Sequence, residues 1–255
     1  MSKSTKTPRR RAGSKSRELV PVAPRSTAIA VPEGLTVGDH KIRPDQVLHI
    51  PELKPDCPGP WQDEPDRVAW TDAATGYSCL ILRQLDGELA GFVGVGPSHP
   101  LWSYERDAIP ASLGVTAHTG IDYAALCDQN GPPEFQICHV HHMAVGQQLA
   151  SVTVNRDEAG LDLADAWWFG FTCDKVGDFL PGDQAHNDTR REEGPKIYRD
   201  IGYVAAEVLT LAGQLKALED QAGSTDGNSM TDSGVPLLLG SKPKALLPRA
   251  GGRHE

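Results

Sequence analysis

The chain has few aromatic residues, 6% of its 255 positions, and no long apolar run. With nothing approaching the ~20 apolar residues of a membrane span, no membrane association is expected. A secretory signal is also missing. The basic start leads into Glu18-Leu-Val-Pro-Val-Ala-Pro-Arg25, where Pro and Arg interrupt any apolar stretch of about 7–15 residues. Five cysteines (Cys57, Cys79, Cys127, Cys138, Cys173) include no CxxC pair, so reduced thiols in a cytoplasm are the expectation. Neither GxxxxGK[ST] nor GxGxxG occurs, so Gly91, Gly94 and Gly96 read as a turn after a strand rather than as a phosphate loop.

Acidic residues are absent from the first 17 positions, which carry Lys3, Lys6, Arg9, Arg10, Arg11, Lys15 and Arg17. The formal net charge is −9, so removing those seven positives leaves the rest at about −16. An acidic body repels phosphate backbones, which argues against specific nucleic-acid binding by the core.

The chain divides by composition. Residues 1–34 form a basic tail without apolar periodicity and read as disordered, and 35–66 are a Pro-rich extended segment. Residues 67–220 are expected to be a single α+β core, and 221–255 a disordered tail. The core is expected to be a small, mainly antiparallel sheet packed against a long C-terminal helix. Residues 77–83 and 89–95 are apolar runs around Asp86-Gly87, a two-residue hairpin signal. Residues 135–143 read as a third strand and 166–173 as an aromatic fourth. The helix is expected over about 197–219, where Ile197, Ile201, Val204, Val208, Leu211, Leu215 and Leu218 step by four and three. Pro195 suits its start.

Three constellations carry candidate chemistry. On a strand, His139 and His141 share a face, and two imidazoles with an oxygen ligand suit zinc. That seat is the weaker alternative, because a barrel hydrolase built on HxH needs ~200 residues or more. Cys173 ends the aromatic strand and is a candidate nucleophile, needing a nearby base to become thiolate. His99 follows a strand and His118 lies in a Gly-flanked loop, where a rigid sheet presents functional groups.

Four segments resemble a known group of proteins. They are Gly87-Glu-Leu-Ala-Gly-Phe-Val-Gly-Val-Gly-Pro-Ser-His-Pro-Leu-Trp102, Ala117-His-Thr-Gly-Ile-Asp-Tyr123, Ala166-Trp-Trp-Phe-Gly-Phe-Thr-Cys-Asp-Lys-Val-Gly-Asp178 and the helix opening at Tyr198-Arg-Asp. Together they resemble uncharacterised proteins encoded by bacteriophages and prophages. The resemblance implies a bacterial host cytoplasm and an accessory role, with a small molecule or host protein as partner. It supplies no reaction. His99, His118, Cys173 and Asp178 stand at family-like positions, so the resemblance points to these four as a shared site, with Trp167 or Trp168 as its apolar wall. The chain departs from the pattern in two places. Cys173-Asp174-Lys175 stands where relatives often read Cys-Ala-His, and His118-Thr119-Gly120 where they show His-Gly-Gly. Three functions follow as expectations: an accessory protein with a ligand-binding or Cys/His catalytic pocket (a hydrolase or transferase), a noncatalytic binder of a host protein, and a metal-supported module.

Overall fold

The computed structural model describes residues 27–28, 31–127, 132–138, 166–188 and 194–225. The disorder expected at either end and the histidines at 139 and 141 fall almost entirely outside these residues.

The sheet has seven strands, all antiparallel. In chain order its members are β1 (Thr27–Ala28), β4 (Pro44–His49), β5 (Arg67–Thr71), β6 (Ser78–Arg83), β7 (Leu89–Val95), β8 (Tyr123–Leu126) and β9 (Trp167–Thr172). Their spatial order is β1-β4-β5-β6-β7-β9-β8. A small hairpin, β2 (Leu35–Val37) with β3 (His40–Ile42), stands apart from it. Helix α1 (Gln184–Asp188) is short, and α2 (Ile201–Thr225) is the long C-terminal helix. This is the α+β arrangement the sequence implies.

Strand β7 is buried at every position because it lies between β6 and β9 and has cover on both faces. Leu89, Val93 and Val95 join Ile81, Phe169 and Phe171 beneath α2, whose Val204, Val208, Leu211 and Leu215 are all fully buried. Each such aliphatic side chain contributes roughly 1.5–3 kcal/mol. The opposite face holds Leu48, Leu80, Leu82, Ala90, Phe92 and Trp168. Gly91 is where the helix comes closest: a methyl group there would run into Val208 and Phe171. Over Ile201–Ser224, α2 is long and apolar enough by composition to cross a membrane. Here its apolar stripe lies on the sheet.

Several local expectations need correction. Asp86-Gly87 is not a two-residue turn. The Gly87 N–H bonds Gln84 O at 3.1 Å, and Gln84 N bonds Glu88 O at 2.8 Å, so Leu85 and Asp86 are the central pair and Gly87 follows at φ +84. Of the strand expected over 135–143, residues 139–143 lie outside the described residues; Pro133–Phe135 is a single 3-10 turn, and 136–138 pair with no strand among the described residues. The place beside β9 is taken by β8.

The Pro-rich segment is not merely draped over the core, because β4 lies within it. Pro44 is tolerated as the first residue of that strand, and the later prolines fall in the β4–β5 connection. The expected boundary at 67 therefore separates two hydrogen-bonded neighbours, β4 and β5. At the other end, the helix begins at Ile201 rather than 197. The Asp200 side chain accepts the Tyr203 N–H at 2.8 Å, a helix cap that Pro195 does not provide. Ile197 is 54% exposed and pairs with Asp178 instead.

Cys127 and Cys138 form a disulfide with their Cα atoms 4.8 Å apart, so the expectation of five reduced thiols fails for this pair. The disulfide holds the 132–138 segment to the end of β8, and buried Arg67 of β5 donates to Gln136 O at 2.6 Å, tying the same segment to β5.

One buried acid makes stability depend on pH. Glu88 is 7% exposed, and its Oε2 has no hydrogen-bond partner among the described residues. Burial pushes its carboxyl up to about 7, with the charges of Asp86 and Asp174 adding to the shift. The unfolded chain ionises near 4.5, whereas the folded one keeps the proton until about 7. Stability is therefore full below about 4.5 and falls as pH rises to about 7, by on the order of 3 kcal/mol. Glu88→Gln is expected to remove this slope and to stabilise the protein at pH 8. Denaturant unfolding at pH 5 and pH 8 checks it, and equal pH slopes for parent and variant would refute it.

Candidate functional site

Two of the four residues singled out in the sequence meet directly. His118 lies in the loop before β8 and Asp178 in the loop after β9. His118 Nε2 donates to Asp178 Oδ2 at 2.7 Å. Their side chains are 3% and 1% exposed. The carboxylate also accepts the Lys175 N–H at 3.0 Å and Arg199 Nε at 2.8 Å. Burial opposes its charge, but the bonds from His118, Arg199 and Lys175 together hold its pKa below the usual carboxylate value. Asp178 is therefore an acceptor only. The proton between the two groups sits on His118 Nε2, and in the neutral imidazole Nδ1 is then the acceptor.

The acceptor nitrogen faces Tyr203 on the first turn of α2. The Tyr203 hydroxyl lies 2.9 Å from His118 Nδ1 and donates to it when the imidazole is neutral. One turn further along, Glu207 Oε2 accepts the His118 backbone N–H at 2.6 Å. His118 itself is held at φ +45, a left-handed conformation that is uncommon outside glycine. The Arg199 guanidinium lies over the Tyr203 ring, 4.7 Å from its centroid. Its Nε is fixed by Asp178, and its terminal amino groups have no protein partner among the described residues. The cluster thus ties three chain segments together, with Arg199 and Tyr203 partly exposed at its edge.

The other two candidates are placed differently. His99 is 2% exposed. Its Nδ1 accepts the Leu101 N–H at 3.0 Å, and its Nε2 donates to Leu215 O at 3.0 Å. Leu215 lies twelve residues beyond Tyr203, about 18 Å along the helix axis. His99 therefore does not join His118. It holds the loop after β7 onto the far part of α2.

Cys173 is adjacent in chain to this region but 1% exposed. Burial pushes its thiol pKa up, with the Asp178 charge acting in the same direction and Arg199 against it. Its sulfur makes no hydrogen bond to a histidine among the described residues. A buried, protonated thiol lacks the thiolate that a nucleophile needs. Lys175 does not activate it, because the Lys175 ammonium is engaged by Asp174 at 2.6 Å, Asp122 at 2.8 Å and Thr172 at 3.1 Å.

The expected tryptophan wall is absent. Trp168 lies on the opposite face of the sheet, and Trp167 Nε1 bonds Tyr104 O at 3.0 Å. The aromatic rings beside His118 are Tyr203 and Phe171, with centroids 5.7 and 6.2 Å from the imidazole. Among the described residues no group of three His, Cys, Asp or Glu could hold a metal. His139 and His141 lie outside the described residues.

Arg199, Tyr203 and Glu207 were not singled out from the sequence. Their signal is there: they recur at intervals of four, one polar row beside the apolar stripe of α2. Compared with known proteins, the chain matches no family model, no curated protein and no solved structure.

Proposed function

We propose that this chain is an accessory protein of the phage or prophage type, working in the cytoplasm of a bacterial host. Its ligand, a small molecule or part of a host protein, is met where Arg199 and Tyr203 edge the His118–Asp178 cluster. One observation carries the reading. Three separate segments converge on the buried Asp178 carboxylate, and they leave a fixed guanidinium and phenol at the edge with binding capacity to spare. Such preorganised polar groups on loops above a rigid sheet are what a recognition site requires. The phage origin rests on the sequence resemblance.

A noncatalytic binder is the second reading, and it is favoured by Cys173, whose buried thiol is held protonated. A thiol-dependent mechanism receives no support. At neutral pH an alkylating reagent is expected to label exposed Cys57 at least ~10-fold faster than Cys173. Faster labelling of Cys173 would restore the nucleophile reading. Binding itself is tested by thermal-shift screening of a small-molecule set against the parent and Arg199→Gln. A compound that raises the Tm of the parent alone supports this site. Equal shifts in both proteins would place binding elsewhere.

A further inference from the structure

With a neutral imidazole the hydrogen bonds at this cluster run in one direction. Asp178, held ionised, accepts from His118 Nε2, and His118 Nδ1 accepts from the Tyr203 O–H. His118 is shielded, with a side chain 3% exposed, whereas Tyr203 is partly open to solvent. Of the three residues Tyr203 is the one partly open to solvent, so its side is where an outside molecule would approach. A carboxylate, an imidazole and a hydroxyl in this order are the parts of a triad, in which the carboxylate fixes the tautomer and the imidazole takes the hydroxyl proton.

We propose that Tyr203 is a catalytic nucleophile activated by His118, with Asp178 as the positioning residue, and that its substrates are carboxylic esters. This rests on the binding reading of the same site.

The steps balance as an acyl transfer. The Tyr203 oxygen bonds to the acyl carbon while its proton moves to His118 Nδ1, forming an imidazolium beside Asp178. The ester C–O bond breaks, and the leaving alcohol takes that proton. Water then attacks the tyrosyl ester, passing its proton to His118 Nδ1. The acyl–O bond to Tyr203 breaks, and the phenol oxygen recovers the proton as the acid leaves. Arg199 over the ring, with its terminal amino groups unpartnered among the described residues, supplies positive charge for the oxyanion formed in each attack.

Two surroundings fit this assignment. Burial raises the Tyr203 pKa, and the Glu207 charge adds to the rise, so the phenol is not ionised by itself and needs the base at Nδ1. The left-handed backbone at His118 is held by the Glu207 bond, which fixes the imidazole against the tyrosine.

The test uses the full chain and phenylmethylsulfonyl fluoride, which sulfonylates an activated hydroxyl with loss of fluoride. Peptide mapping is expected to show Tyr203 labelled at least ~10-fold faster than the partly exposed Tyr104 and Tyr123, with the advantage lost in His118→Gln and Asp178→Asn. Labelling of Tyr203 no faster than Tyr104, or unchanged in folded His118→Gln, would overturn the proposal. Tyr203→Phe keeps the ring, and circular dichroism checks that it keeps the fold. The parent is expected to hydrolyse p-nitrophenyl acetate, and this variant at least ~100-fold more slowly. No hydrolysis above buffer by the parent, or equal rates, overturns the assignment. A compound that still shifts the Tm of the parent but not of Arg199→Gln would leave the binding reading standing.

Discussion

Leu211→Asp is expected to yield no folded protein. Leu211 is fully buried in the layer between α2 and the sheet, in one cluster with Val208, Leu215, Val93 and Phe169. An aspartate there places an unpaired carboxylate among aliphatic and aromatic groups and also removes a well-packed side chain. The combined loss is at least ~4–5 kcal/mol, comparable with the whole stability of an ordinary domain. Thermal melting followed by circular dichroism gives the readout. A variant that melts with the parent would show that the stripe is not the core. Glu219, close to the end of the apolar stripe, has a structural role. Tyr77 O–H donates to Glu219 Oε2 at 3.0 Å, tying β6 to the helix. Glu219→Lys is therefore no neutral control, and the exposed Gly213 side of the helix serves better.

Asp66→Asn is expected to destabilise the protein by about 3–5 kcal/mol, although it changes almost no volume. Asp66 is fully buried. Its Oδ1 accepts Arg83 Nε at 2.6 Å and lies 3.1 Å from Lys54 Nζ, and its Oδ2 accepts the Ile50 N–H at 2.7 Å. Arg83 is 1% exposed and also donates to Gly87 O at 2.7 Å, Tyr198 Oη at 2.8 Å and Glu64 Oε2 at 3.0 Å. Glu64 in turn caps α2 by accepting the Ile201 N–H at 3.0 Å. Two cations, Arg83 and Lys54, thus face two carboxylates, Asp66 and Glu64. Neutralising Asp66 leaves a buried excess of positive charge, and that imbalance rather than a cavity is the source of the loss. Denaturant unfolding at neutral pH measures it. A change below ~1 kcal/mol would mean that water reaches the network and screens it.

The same network shows why part of the chain was misjudged. Residues 35–66 carry prolines and few apolar side chains, and hydrophobic periodicity is silent about such a stretch. Its attachment comes instead from polar groups: Asp66 and Glu64 bond to partners up to 137 residues away. Partners that distant leave no local pattern. The β8 strand escaped for a related reason. Tyr123–Leu126 is only four residues long, and its pairing with β9 is fixed by the aromatic strand, not by any alternation of its own.

The sequence by itself determined the β6–β7 hairpin, the aromatic β9 and the α2 stripe, because each carries its periodicity within about a dozen to two dozen residues. It also marked His118 and Asp178 as candidates through the resemblance. Only the tertiary structure decided that these two meet, that Tyr203 and Arg199 complete them, and that His99 and Cys173 are buried elsewhere or inert. Burial and hydrogen-bond partnership depend on which distant segments share a face of the sheet. The α2 helix, laid across β6 and β7, brings its first two turns to loops that the chain places some twenty to ninety residues earlier.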